Sequence, residues 1–184
     1  MDIGILLDRG AVAARLSAAT KRQALGAIAE IAGSGASLDA HHLTAPEPGG
    51  EGATRAMIAA IRAAGGGPID YVQAHGTSTV QNDAVEAAAL RRVLGADLAR
   101  ARVSSVKGAL GHAIAGAGAL GFLCALHAVE RGVVLPTAGL REPDRECALP
   151  HVTGSAEHRE VRAALANAFA FGGANVSLVV RRAA

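Results

Sequence analysis

Ile69-Asp-Tyr-Val-Gln-Ala-His-Gly-Thr-Ser-Thr79 is the stretch whose reading decides the fold. Its apolar first half, Ile69–Ala74, predicts a buried strand that runs straight into His75 and a Gly-Thr-Ser-Thr loop. Downstream, Asp83–Leu94 carries Val85, Ala88, Ala89 and Val93 on one side of a predicted helix, with Arg91 and Arg92 elsewhere. Val103–Val106 predicts a short strand that delivers Lys107, and Ala113–Glu130 a helix apolar on nearly every side. Ala163–Phe169 and Val176–Val180 predict two strands closed by a glycine turn.

Upstream, Glu51–Ala64 has Met57, Ile58 and Ile61 at helical spacing and ends at Gly65-Gly66-Gly67. Thr44–Gly50 is a loop by its prolines and glycines. Ala24–Ala32 suits a strand or a short helix, and Ile3–Leu6 with Ala11–Leu16 suits a strand bent near Arg9-Gly10. Strands alternating with helices and closing on a hairpin indicate an α/β domain with a mixed sheet.

Composition narrows the function. The 184 residues suit one domain spanning 1–184. Apolar residues make up 51% but aromatics only 2%, and 23 glycines accompany them, so elements should pack backbone against backbone. The net charge of +2, with no basic block interleaved with aromatics, gives no sign of nucleic acid binding. Two cysteines without a secretory leader suit a reducing, cytoplasmic setting. The apolar run Ala113–Val129 falls short of the ~20 residues of a membrane span and reads as a buried helix. A helix without a polar face must be covered all round, and one sheet covers one side. A second body should press on the other, which implies a partner.

Two histidines and a lysine near strand mouths, His75, His112 and Lys107, suit a site that steadies negative charge on oxygen. Adjacent His41 and His42 point apart in most backbones, and His127, His151 and His158 lack sequence partners; no metal site is expected. Gly116-Ala-Gly-Ala-Leu-Gly121 fits the dinucleotide fingerprint, but that motif needs a strand ending at its first glycine. Here the glycines open the apolar helix instead.

Three segments in order, His75–Thr79, Val103–Lys107 running into Gly111-His112, and Asn167–Asn175, resemble the C-terminal half of the β-ketoacyl synthases, in the thiolase-like superfamily. Ser37–Pro46 and Leu135–Asp144 resemble the family's connecting segments, the first as the loop before the His75 strand. The resemblance implies half of a thiolase-like fold, a five-stranded mixed sheet with helices on both faces. It implies that His75 and His112 hold the enolate oxygen left when a malonyl thioester loses CO2, and that Lys107 orients them. Thr77 and Thr79 match hydroxyls that bond phosphopantetheine. Phe171 matches the gating phenylalanine, whose N–H contributes to an oxyanion hole, and Gly172 and Gly173 form the turn beside it. Asp83 and Glu86 match structural supports. No bound cofactor is implied; substrates arrive on the phosphopantetheine of an acyl carrier protein.

The departures shape the expectation. No cysteine motif of the family's N-terminal half is present, and neither Cys124 nor Cys147 stands in its place. Gly121, nine residues after His112, stands where the fatty-acid branch usually has Glu and the modular polyketide branch Gly; Ala170 replaces a glycine between two phenylalanines. The expected protein is a hetero-oligomeric 3-oxoacyl-carrier-protein synthase half, inactive until a separate cysteine-bearing ketosynthase half joins it. A non-catalytic chain-length partner, a carrier-protein-binding module and an inactive truncated synthase are the alternatives.

Overall fold

The computed structural model describes residues 29–182. The expected strands at Ile3–Leu6 and Ala11–Leu16, and most of Ala24–Ala32, lie outside the described residues. The chain runs β1 (Ala29–Leu38), α1 (Glu51–Ala63), β2 (Tyr71–Gln73), α2 (Val80–Leu94), β3 (Arg102–Ser104), α3 (Lys107–Leu110), α4 (Ala117–Arg131), β4 (Val133–Val134), β5 (Glu157–His158), β6 (Ala163–Ala170) and β7 (Ala174–Arg182).

Five strands form one mixed sheet in the order β1-β7-β6-β2-β3. β7 pairs antiparallel with β1 and β6, whereas β2 pairs parallel with β6 and β3. Two apolar cores flank the sheet. On one side Met57 and Ala60 of α1 and Ala89 and Leu90 of α2 meet Val72, Leu165 and Val179. On the other, Ala125, Ala128 and Val129 of α4 meet Tyr71, Ala164 and Val180. Strand side chains alternate faces, so adjacent residues such as Tyr71 and Val72 feed opposite cores.

Small residues set the spacing, as composition implied. A Cβ on Gly35 would lie 2.1 Å from the Ala56 carbonyl oxygen, and one on Gly33 would lie 2.3 Å from that of Ala60. Any larger residue at Gly33 or Gly35 would push α1 off the sheet.

Several boundaries differ from expectation. Ser37 and Leu38 complete β1 rather than opening a loop, because they pair with Asn175 and Ala174. α2 begins at Val80; of the expected stripe it buries Ala89, together with Glu86, Ala87, Leu90 and Leu94, while Val85 and Val93 are half-buried and Ala88 is exposed. Lys107 opens the short α3, one turn beyond the strand. The β4–β5 ribbon, two residues on each side, was not anticipated.

Residues Ile114–Arg131 reach 18 residues at mean hydropathy 1.2, enough by length and composition to cross a membrane. One face of this stretch fills the sheet core through Ala125, Leu126, Ala128 and Val129. Its opposite face presents Ala119, Leu123 and His127 outward, with Leu123 53% exposed. The glycine fingerprint sits at the start of this helix, and the preceding strand ends at Ser104, so it has no strand-to-helix phosphate turn.

Candidate active site

β2 carries the chain out of the sheet core and leaves His75 just past its end, 7% exposed. Its ring is pinned on three sides. The Phe169 N–H donates to its Nδ1 at 3.2 Å, the Phe169 ring lies 5.4 Å away, and the His112 ring meets it edge-on at 5.7 Å. A neutral imidazole whose Nδ1 accepts a hydrogen bond carries its proton on Nε2. Burial first, then the charges of Lys107 and His112, push the His75 pKa down to about 3. The ring is therefore neutral at pH 7 and presents an Nε2–H donor.

His112 is held differently. It sits on the exposed turn between α3 and α4, and the Ile114 N–H donates to its Nδ1 at 3.0 Å. That bond selects the same Nε2–H tautomer in the neutral ring. Lys107 donates from Nζ to the His75 carbonyl oxygen, which ties the lysine to the end of β2. Burial lowers its pKa, while Glu86 and Asp83 oppose that shift.

Glu86 braces the floor. Its carboxylate accepts the backbone N–H groups of His75 and Gly76, both at 2.9 Å, and Asn167 Nδ2 at 3.0 Å. Ser177 in turn donates to Asn167 Oδ1 at 2.8 Å. Burial raises the Glu86 pKa, and the three donors pull it back. Asp83 accepts the Ser78 N–H at 3.1 Å and so shapes the loop bearing Thr77 and Thr79, whose hydroxyls lie 2.9 Å apart.

The turn after β6 presents Phe171 to solvent at 78% exposure. Gly172 takes φ 82°, a conformation costly for any residue with a Cβ. Its N–H is occupied by the Leu43 carbonyl at 2.7 Å. Gly173 backs onto Asp39, whose N–H donates to the Gly173 carbonyl at 2.8 Å. Asn175 Nδ2 reaches Asp39 Oδ1 at 2.7 Å. The turn is thus braced by the segment just after β1.

A cavity of about 670 Å³ opens between α2, the Lys107–His112 segment and the loop 137–149. It is lined by Thr77, Lys107 and His112 together with Leu90, Val103 and Cys147. Cys147 was expected only in a loop, and nothing in its sequence setting pointed to this cavity. Burial pushes both the Cys124 and Cys147 thiols up, so neither is an activated nucleophile. No cluster of three metal-ligating side chains occurs among the described residues.

Of the expected site residues, His75, His112, Lys107, Thr77, Asp83 and Glu86 converge at the ends of β2 and β3. Thr79 joins them through Thr77, whereas Phe171, Gly172 and Gly173 lie at the end of β6. Sequence reading missed the supports Phe169, Asn167, Ser105, Asp39 and Asn175. Ser105 donates to the Gly76 carbonyl at 3.1 Å and accepts the Lys107 N–H at 3.4 Å. Asn167 and Asn175 bracket the glycine turn, and two asparagines flanking it in sequence were the available signal.

Residues 28–141 match the family model for the β-ketoacyl synthase C-terminal domain. The chain is 40% identical over 183 residues to 3-oxoacyl-[acyl-carrier-protein] synthase 2 of Rhizobium meliloti (strain 1021), covering 97% of this chain and 43% of that one. It is 41% identical to nodulation protein E of Rhizobium meliloti, covering 97% and 45%. Among solved structures, a β-ketoacyl synthase from Burkholderia phymatum STM815 aligns with TM-score 0.78 at 38% identity over 84% of this chain and 38% of that one. A type II polyketide ketosynthase in complex with its acyl-carrier protein aligns with TM-score 0.80 at 31% identity, with the same coverage. The chain belongs to the β-ketoacyl synthase family, with the mixed sheet and helices of the ketosynthase fold. It spans less than half the length of these curated relatives.

Proposed function

We propose that this chain contributes the decarboxylation half of a condensing site in fatty-acid or polyketide assembly. One observation carries the reading: two imidazoles 5.7 Å apart, each with Nδ1 engaged by a backbone N–H. Both rings then offer Nε2–H, and two donors aimed at one oxygen stabilise an enolate.

In the proposed step, a malonyl thioester binds with its carbonyl oxygen between His75 and His112. The bond to the carboxylate breaks, CO2 leaves, and the electron pair passes through the α-carbon to the thioester oxygen. The enolate carbon then attacks an acyl-cysteine thioester. A carbon–carbon bond forms, and collapse of the tetrahedral oxyanion returns the cysteine thiolate. Lys107 and Glu86 act as positioning residues, holding the backbone on either side of His75. Thr77 and Thr79 bond the phosphopantetheine arm of an acyl carrier protein, and Phe171 with Gly172 and Gly173 gates the acyl group.

The acyl-bearing cysteine comes from a ketosynthase half outside the described residues, which we assign to a separate polypeptide. The outward face of α4, around Leu123, supports such a mate. Retention of both histidines and Lys107 favours this reading over a chain-length partner, which has no chemical need of them. Isolation of the tagged chain from its host, followed by native mass spectrometry and malonyl–carrier-protein assays, tests it. A stoichiometric mate with a reactive cysteine and CO2 release lost in His75→Ala is the expected result. Condensation by the pure chain alone overturns the split enzyme, and CO2 release insensitive to either histidine overturns the half-site.

A further inference from the structure

Backbone pairing between β2 and β3 carries as far as the Ala74 N–H, which donates to the Ser104 carbonyl at 2.8 Å. The next two residues, His75 and Gly76, are held by side chains instead. Glu86 accepts both of their N–H groups, Lys107 Nζ donates to the His75 carbonyl, and Ser105 Oγ donates to the Gly76 carbonyl at 3.1 Å. Every backbone polar group of this dipeptide therefore has a side-chain partner.

Ser105 is the shortest of these holders. Lys107 acts from the end of a flexible stem with rotatable donors, whereas the Ser105 hydroxyl sits one carbon from the backbone in a residue 5% exposed. It is also wedged in place: a Cβ on Gly76, which takes φ 43°, would lie 2.7 Å from the Ser105 Cβ. The Ser105 N–H donates in turn to Thr137 Oγ1 at 3.0 Å. The Thr137 N–H donates to the Val152 carbonyl at 2.9 Å, and the Val152 N–H to the Val103 carbonyl of β3 at 3.0 Å. Beside them a Cβ on Gly108 would lie 2.3 Å from the Ala138 carbonyl oxygen, so the segment after Thr137 rests directly on α3. Two hydroxyls thus join the His75 loop, the exit of β3 and the loop that walls the cavity, with α3 lying against that loop.

The two imidazoles come from different segments, His75 from the end of β2 and His112 from the turn after α3. Their separation of 5.7 Å is set by whatever fastens those segments together. We infer that Ser105 and Thr137 are positioning residues that act as one clasp and fix the spacing of the two rings. The catalytic consequence rests on the proposed half-site. Two donors stabilise one oxygen only when both reach it, and a misplacement of about 1 Å is enough to lose much of that effect.

The test reads the ring-proton contact between His75 and His112 by NMR in the full chain, the contact being identified by its loss in His112→Gln. Ser105→Ala and Thr137→Val each weaken it by about half or more, and the double variant goes no further, because the two hydroxyls act as a unit. Val129→Ala, a cavity in the α4 core that lowers stability without touching the clasp, leaves the contact unchanged. In the assembled condensing complex each clasp variant lowers kcat for malonyl decarboxylation about tenfold and keeps KM within about twofold. A ring contact that survives both clasp variants, or weakens as much in Val129→Ala, overturns the inference and leaves the half-site standing. A double variant far worse than either single one overturns the shared clasp. A weakened contact with unaltered CO2 release supports the clasp and overturns the paired-donor half-site.

Discussion

His75 and His112 have their rings 5.7 Å apart and each accepts a backbone N–H at Nδ1, yet the structure holds them in opposite ways. His75 is buried at a strand end, clasped by Phe169, Lys107 and, through its backbone, Glu86. His112 stands on an exposed turn and keeps its ring angle through one bond to a strained neighbour. The difference separates a histidine whose surroundings are closed from one that stands in the open. The sheet and α2 complete the surroundings of His75, whereas the His112 side faces open space.

The sheet shows the same asymmetry on a larger scale. The α1–α2 face is closed by side chains packed to near-zero exposure, such as Met57 and Leu90. The α4 face ends in a helix whose outer side carries Leu123 and His127 with no layer over it among the described residues. Among the described residues the open helix face and the exposed histidine adjoin, because the helix begins five residues after His112.

Experiments can break this comparison. The largest effect expected is chemical: in an assembled condensing complex, His75→Ala and His112→Ala each lower malonyl decarboxylation about 10²–10³-fold. A loss below tenfold for either removes the paired-donor account. Next is Glu86→Ala, which strands three donors in a buried pocket and should cost about 3 kcal/mol or more in chemical denaturation. A cost under about 1 kcal/mol would mean that Glu86 does not organise the His75 loop.

The third is a pH effect. The folded-state pKa of His75 lies near 3, below its ordinary value of 6.5, so the unfolded chain binds more protons between those limits. Its contribution to stability is present above pH 6.5 and fades as the pH falls toward 3, by an amount on the order of a few kcal/mol. Glu86, shifted upward, works with the opposite sign above its ordinary range. If His75→Asn leaves the acid limb of the stability curve as steep as in the parent, the buried-neutral description of His75 is wrong.

The smallest effects sharpen the other side. His112→Ala and Leu123→Glu, both at exposed positions, should each change the stability of the isolated chain by under about 0.5 kcal/mol. A larger loss in Leu123→Glu would show that the α4 face is already covered within this chain.

Much of this was legible beforehand. The alternation of strands and helices, the glycine-turn hairpin and the line of His75, Lys107 and His112 follow from short-range patterns. Ser37 and Leu38 were misplaced because strand membership there depends on pairing with β7, over 130 residues away in sequence. The buried stripe of α2 was misjudged because Glu86, a charged residue, turns inward to meet backbone donors from β2 and a side chain from β6. Helical periodicity counts apolar residues and cannot foresee a carboxylate that the tertiary fold satisfies.

The sequence by itself determined the alternation of the main strands and helices and the family, since these reside in local spacing and motif. Only the tertiary structure decided which histidine is buried, that both Nδ1 atoms are occupied and that Ile114 is strained beside one of them. It also decided which side of α4 stays open. Those properties come from atoms distant in sequence competing for the same space and hydrogen bonds, which no local pattern encodes.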